Sequence, residues 1–77
     1  KTGMGGDVFK DGVAVSDAFI SAVGLKKNVT TNLLGRYDLE RIEPGLYQFT
    51  CVHPVHGTLS KVVRVKLGKM VEVDWEY

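Results

Sequence analysis

The last eight residues, Met70-Val71-Glu72-Val73-Asp74-Trp75-Glu76-Tyr77, constrain this chain more than any other stretch. Val71, Val73, Trp75 and Tyr77 alternate with Glu72, Asp74 and Glu76. In extended backbone, that order puts four apolar side chains on one face and three acids on the other. A helix would scatter the same residues around its circumference. The period-two pattern recurs upstream. Tyr47, Phe49 and Cys51 share a face opposite Gln48 and Thr50, and Val63, Val65 and Leu67 share one opposite Arg64 and Lys66. No segment carries a helical stripe.

Turn residues divide these runs. Gly6 to Phe9 opens a strand, and Lys10-Asp11-Gly12 closes it, because Asp-Gly readily takes positive φ. Ala18 to Val23 is a second strand. A polar break at Lys26-Lys27-Asn28 leads to β-branched Val29-Thr30-Thr31. Asn32 to Gly35 turns the chain into Arg36 to Leu39. Glu43-Pro44-Gly45 is the next turn, with Pro44 fixing φ and Gly45 free to take a positive one. Leu46 to His53 is the longest strand and Pro54 ends it. Leu59 to Leu67 and Met70 to Tyr77 complete the set. About seven short antiparallel strands, with turns every 8–12 residues, predict an all-β sandwich of two aligned sheets. If the last two strands adjoin, Arg64 and Lys66 face Glu72 and Glu76, each exposed pair contributing a few tenths of a kcal/mol.

Seventy-seven residues make one domain spanning 1–77. A chain of this size buries only about 60% of its unfolded surface and holds on the order of 3–5 kcal/mol of stability. A host protein or an assembly would add burial. The 44% hydrophobic content suffices for a core and excludes disorder. The net charge of +1 is spread along the chain with no basic block, which argues against a nucleic-acid surface. No apolar run approaches the roughly 20 residues of a membrane span. Cys51 is the sole cysteine, so no internal disulfide and no cysteine zinc cluster can form, and it reads as a small buried apolar residue. The chain begins at Lys1 without a leader, which fits an excised domain and a processed mature chain equally.

The order of these features resembles the carboxypeptidase regulatory-like domain family, a transthyretin-like, Ig-like Greek-key sandwich, and shares much with collagen-adhesin B-type repeats. The opening family pattern reads here as Gly6-Asp7-Val8, then Gly12, then Val13 to Ile20. The central signature reads Thr30-Thr31-Asn32-Leu33-Leu34-Gly35-Arg36-Tyr37-Asp38-Leu39, followed by Pro44-Gly45-Leu46-Tyr47. The close reads Val63-Arg64-Val65, Gly68 and Val73-Asp74. Asn32 replaces the usual Asp, Ala14 and Asp17 replace Pro and Gly, and Leu34 stands where a polar turn residue is usual. The resemblance implies a non-catalytic accessory, adhesive or carbohydrate-associated module outside the cytoplasm. Gly35, Tyr37, Pro44, Gly45, Tyr47 and Trp75 are structural under this reading: glycines at turns, rings buried near sheet corners with their hydroxyls partnered.

Candidate chemistry is sparse. Cys51 and His53, at i and i+2, point to the same inner face and leave no room for substrate, so no catalytic residue is assigned. His53 and His56, spaced His-Pro-Val-His, are the candidate metal or haem ligands, but a metal site wants a third ligand and Glu43 lies toward the opposite end of the strand. No cofactor is expected. An isopeptide crosslink would need Asp74 inward, and parity puts it outward, while Lys10 sits at a turn. Asn28-Val29-Thr30 matches a glycosylation acceptor.

Apolar residues in exposed positions say more about partners. With Ala18, Ile20 and Ala22 inward, Phe19 and Val23 face out, as does Val62. Leu33 and Leu34 fill a turn that is normally polar. Either Leu34 folds back over the end of the sandwich, or Phe19, Leu33 and Leu34 contact a partner protein or another copy. The expectation is an interaction module at a cell surface, in the periplasm or outside the cell. A carbohydrate-binding module, which would need exposed aromatics such as Trp75 and Tyr77, and a small metal-binding protein are the alternatives.

Overall fold

The computed structural model describes residues 1–77. Nine strands and no helix make up the regular structure: β1 Gly3–Lys10, β2 Val13–Ala14, β3 Phe19–Ala22, β4 Val29–Thr30, β5 Arg36–Glu40, β6 Gly45–His53, β7 Gly57–Val65, β8 Met70–Glu72 and β9 Trp75–Glu76. No helix is long and apolar enough to cross a membrane.

The strands form two sheets. In the first, β1 pairs antiparallel with β5 and β2 and parallel with β8 and β9. The second is antiparallel throughout, in the order β4-β3-β6-β7. One apolar core lies between them. The first sheet supplies Met4, Val8, Tyr37, Leu39 and Trp75, and the second supplies Ile20, Phe49, Cys51, Val63 and Val65. Trp75, Phe49, Ile20 and Cys51 are fully buried. The alternation at the C-terminus holds: Glu72, Asp74 and Glu76 are exposed, Trp75 is buried, and Val71, Val73 and Tyr77 pack against the core.

Three differences from the sequence reading have physical causes. The expected single strand from Met70 to Tyr77 is two strands, which helps raise the count from about seven to nine. At the break, the Val73 carbonyl accepts the Tyr37 hydroxyl at 2.5 Å, and the Asp74 carboxylate accepts the Asp7 amide at 2.9 Å, so these groups leave the ladder. These two strands run parallel to β1 and lie in the other sheet from β7. Arg64 and Lys66 therefore have no cross-strand acids, and Glu72 pairs with Arg36 at 3.4 Å instead. Leu67 is exposed rather than inward, because β7 ends at Val65 and parity stops there.

Turn chemistry agrees in part. Asp11 and Gly12 both take positive φ (51° and 77°) between paired Lys10 and Val13, the geometry of a tight two-residue hairpin. Gly35, at φ 75°, packs so closely under Val8 that a Cβ there would lie 2.6 Å from its carbonyl oxygen. Gly45, by contrast, is extended (φ 159°), and the left-handed residue of that connection is Arg41, at φ 61°.

Candidate functional site

Strand register fixes which loops meet. Phe19 pairs with Val52 and Thr30, and His53 with Gly57, so the start of β3, the end of β4 and the β6–β7 loop share one end of the molecule. The β1–β2 hairpin joins them, with Lys10, Asp11, Ser16, His53 and His56 lining one shallow hollow of about 390 Å³. Leu34 lies across the same hairpin, beside Phe9, Gly12 and Ala14. This loop pole gathers exposed apolar residues from separate segments: Val13 (67% exposed), Phe19 (40%), Leu33 (88%), Leu34 (78%), Val52 (39%) and Val55 (80%).

Charge separates the two poles. The loops at residues 31–35 and 53–57 contain no Asp, Glu, Lys or Arg, and the β1–β2 hairpin with the segment after it adds only Lys10, Asp11 and Asp17. The opposite pole carries Lys26, Lys27, Arg41, Glu43, Lys66 and Lys69 in its connections. Desolvating the loop pole would therefore strand few charges, which is the physical requirement for the centre of an interface.

Hydrogen bonds hold these loops in shape. Asn32 Oδ1 accepts the amides of Leu34 (2.9 Å) and Arg36 (3.0 Å), while the Asn32 carbonyl accepts the Gly35 amide (2.9 Å). An Asp carboxylate would accept the same amides, which explains why Asn serves at this position. The side chains of Leu33 and Leu34 are left in solvent, so Leu34 does not fold back over the core. Thr31, read from the sequence only as part of a β-branched stretch and of the central signature, is buried. Its hydroxyl donates to the Val15 carbonyl (2.8 Å) and accepts the Ala18 amide (3.0 Å), fastening the segment that delivers Phe19. Its only signal was a β-branched polar residue beside a turn.

The β6–β7 loop is organised by His53. Its Nδ1 lies 3.1 Å from the Val55 amide and 3.3 Å from the His56 amide and accepts from both. The His56 ring stacks on it at 4.6 Å, tilted by 20°. A neutral imidazole that accepts at Nδ1 carries its proton on Nε2. While the loop keeps this form, His53 has no free lone pair for a metal, and the two rings lie face to face instead of converging on one point. The Tyr77 hydroxyl, 3.0 Å from the Cys51 carbonyl and 2.9 Å from that of Gly57, ties the loop to the chain end.

Elsewhere the ionisable groups satisfy one another. Ligand atoms of Asp7, Glu72 and Asp74 lie within 4.8 Å of one another. The Arg36 guanidinium already sits among these acids, 3.4 Å from both Asp7 and Glu72. A hydrogen bond to Asp74, with some burial, holds the Glu72 carboxyl above its ordinary range. Burial pushes the Cys51 thiol up, which makes it a poor nucleophile. Asp74 offers its carboxylate to a backbone amide, and the lysine that reaches it is Lys61, at the backbone carbonyl (2.5 Å), not Lys10. Asn28 and Thr30 are exposed.

Tyr37, Tyr47 and Trp75 are all hydrogen-bonded, Tyr37 and Trp75 buried and Tyr47 only half-buried where a buried ring was expected. Tyr37 donates to Val73, Trp75 Nε1 donates to Tyr37 (3.1 Å), and Tyr47, half-buried, donates to the Glu43 carbonyl four residues upstream (2.7 Å). Compared with protein-family models and with curated proteins, the sequence matches none.

Proposed function

We propose that this chain is a non-catalytic interaction module working outside the cytoplasm, which docks through its loop pole on a host protein or a surface assembly. The observation that carries the reading is the meeting of Phe19, the Leu33-Leu34 pair and Val55 at one charge-poor end, from three different segments and all exposed. An apolar area of this kind, built on loops held rigid by Asn32, Thr31 and His53, suits protein recognition.

The proposed sandwich is transthyretin-like, related to the carboxypeptidase regulatory-like domains. The Tyr47 bond to a carbonyl just before its own strand supports that assignment, being the corner device of Greek-key sandwiches. The carbohydrate alternative draws no support from Trp75, which is fully buried and offers no stacking plane.

The test is the double variant Leu33→Ser with Leu34→Ser. A binding protein isolated with the unmodified chain from its source loses association with the variant, while the melting temperature stays nearly unchanged. Unaltered association would sink the reading, and so would a large loss of stability, since that would make the two leucines part of the core.

A further inference from the structure

A different surface, on the flank of the molecule, bears on self-association. Natural sheets blunt their edges with short strands, and β2, β4, β8 and β9 are only two or three residues long. β7 departs from this. It is nine residues long and pairs with β6 alone, so no strand covers its far edge, which is touched only at the Gly57 carbonyl by Tyr77 and beside Lys61, whose side chain leans toward Asp74.

The open edge of β7 lies on the same flank as β8 and β9, which pair only with β1. Three contacts set their relative course. The Tyr77 hydroxyl meets the Gly57 carbonyl at the start of β7. Lys61 Nζ, midway, reaches the Asp74 carbonyl and stands 5.3 Å over the Trp75 ring. A four-residue connection links Val65, the last residue of β7, to Met70, the first of β8. The two edges thus run antiparallel, one in each sheet.

Their charges are opposite. Residues 57–69 contain Lys61, Arg64, Lys66 and Lys69 and no acid, and residues 70–77 contain Glu72, Asp74 and Glu76 and no base. Arg64 and Glu72 are both exposed on the outer faces of their sheets, and the Glu72 side chain stays 57% exposed while paired with Arg36. Within one chain they cannot meet, because the core separates the sheets.

We propose that a second copy of this chain docks on this flank, with β7 of each copy pairing antiparallel with β8 and β9 of the other. A two-fold axis parallel to the strands exchanges the two sheets and preserves strand direction and level. It brings Arg64 of one copy beside Glu72 of its mate, twice over, and extends both sheets across the interface. Pairing β7 with β7 would set like charges together, as would pairing β8–β9 with itself, so reciprocal pairing is the attractive arrangement. The proposal is independent of the loop pole.

The experiment is sedimentation of the purified chain from micromolar to millimolar concentration. The expected mass rises from 8.5 kDa toward twice that value, and added salt weakens the association. Arg64→Glu and Glu72→Arg each weaken it by about ten-fold, since each creates two like-charge contacts. An equimolar mixture of the two variants, or one chain carrying both changes, restores it. Circular dichroism confirms that each variant is folded. On the unmodified chain, amide resonances of β7, β8 and β9 shift together with concentration, a measurement that needs no variant. A mass fixed at 8.5 kDa across the range, a dimer indifferent to both reversals, or shifts confined to the loop pole would overturn the proposal.

Discussion

Trp75 Nε1 donates to the Tyr37 hydroxyl at 3.1 Å, and that hydroxyl donates onward to the Val73 carbonyl at 2.5 Å. This relay closes the core at the break between β8 and β9. Every buried side-chain nitrogen and oxygen in the chain has a partner, and here one hydroxyl satisfies two groups. Replacing Tyr37 with Phe keeps the ring but leaves the indole N–H and the carbonyl unpaired. The expected loss is about 1–3 kcal/mol, measured by urea denaturation, and a change within error would show that water substitutes for the hydroxyl.

The same carbonyl explains Gly6. A Cβ at Gly6 would overlap the Val73 carbonyl, whereas one at Gly12 would meet nothing within 4 Å. Gly12→Ala should cost about 1 kcal/mol, from backbone strain alone. Gly6→Ala should cost far more and leave little folded protein, given a total stability on the order of 3–5 kcal/mol. Thermal melts of the two variants side by side decide this, and equal melting temperatures would refute the close approach.

Alkaline pH should unfold the chain. Burial holds the Tyr37 phenol well above its ordinary value, against the pull of the Trp75 hydrogen bond. In the unfolded chain it ionises near pH 10. Above that pH, unfolding releases a proton, so stability is intact below about pH 10 and falls as pH rises, by at most about 1.4 kcal/mol per unit for this residue. Absorbance at 295 nm and far-ultraviolet circular dichroism should change together for part of the tyrosine signal. Tyr37→Phe should flatten the fall. Complete ionisation near pH 10 with the strands intact would contradict the burial.

Removing the His53 ring should loosen one loop and spare the rest. His53→Ala deletes the acceptor for the Val55 and His56 amides. Their hydrogen exchange should speed up by about ten-fold or more, corresponding to the loss of a bond worth about 1 kcal/mol or somewhat more. Core amides in β6 should change little. If the two loop amides exchange at unaltered rates, the imidazole does not organise the loop.

Buried Phe49 and half-buried Tyr47 should differ in weight. Truncating a fully buried aromatic ring costs roughly 3–5 kcal/mol, and the sequence reading expected the Tyr47 ring to be buried. Phe49 is fully buried and Tyr47 is not, so Phe49→Ala should be the more damaging of the two. Their chemical denaturation midpoints, compared directly, check the order.

The faces of the strands were legible because side chains alternate strictly along extended backbone. Val71 to Tyr77, Tyr47 to Cys51 and the outward Phe19 could all be read from local order, and so could the Asp11-Gly12 hairpin. The exposure of Leu33 and Leu34 was legible only as one of two alternatives, because a turn can direct an apolar side chain either way until its hydrogen bonds are known. The roles of Thr31, His53 and Gly6, as distinct from their presence in the patterns, were not legible, since they rest on partners distant in sequence or on which atoms a single ring nitrogen accepts from.

The sequence by itself determined that this chain is extended, two-faced and built around one apolar interior. Tertiary structure alone decided which strands are neighbours. The alternating C-terminal segment would satisfy its pattern beside β7 or beside β1, and only packing chose β1, setting Asp74 against Asp7 across a separation of 67 residues. The reason is that pleating is a local property of the backbone, whereas adjacency depends on which distant pairing buries Trp75, partners Tyr37 and leaves no polar atom stranded.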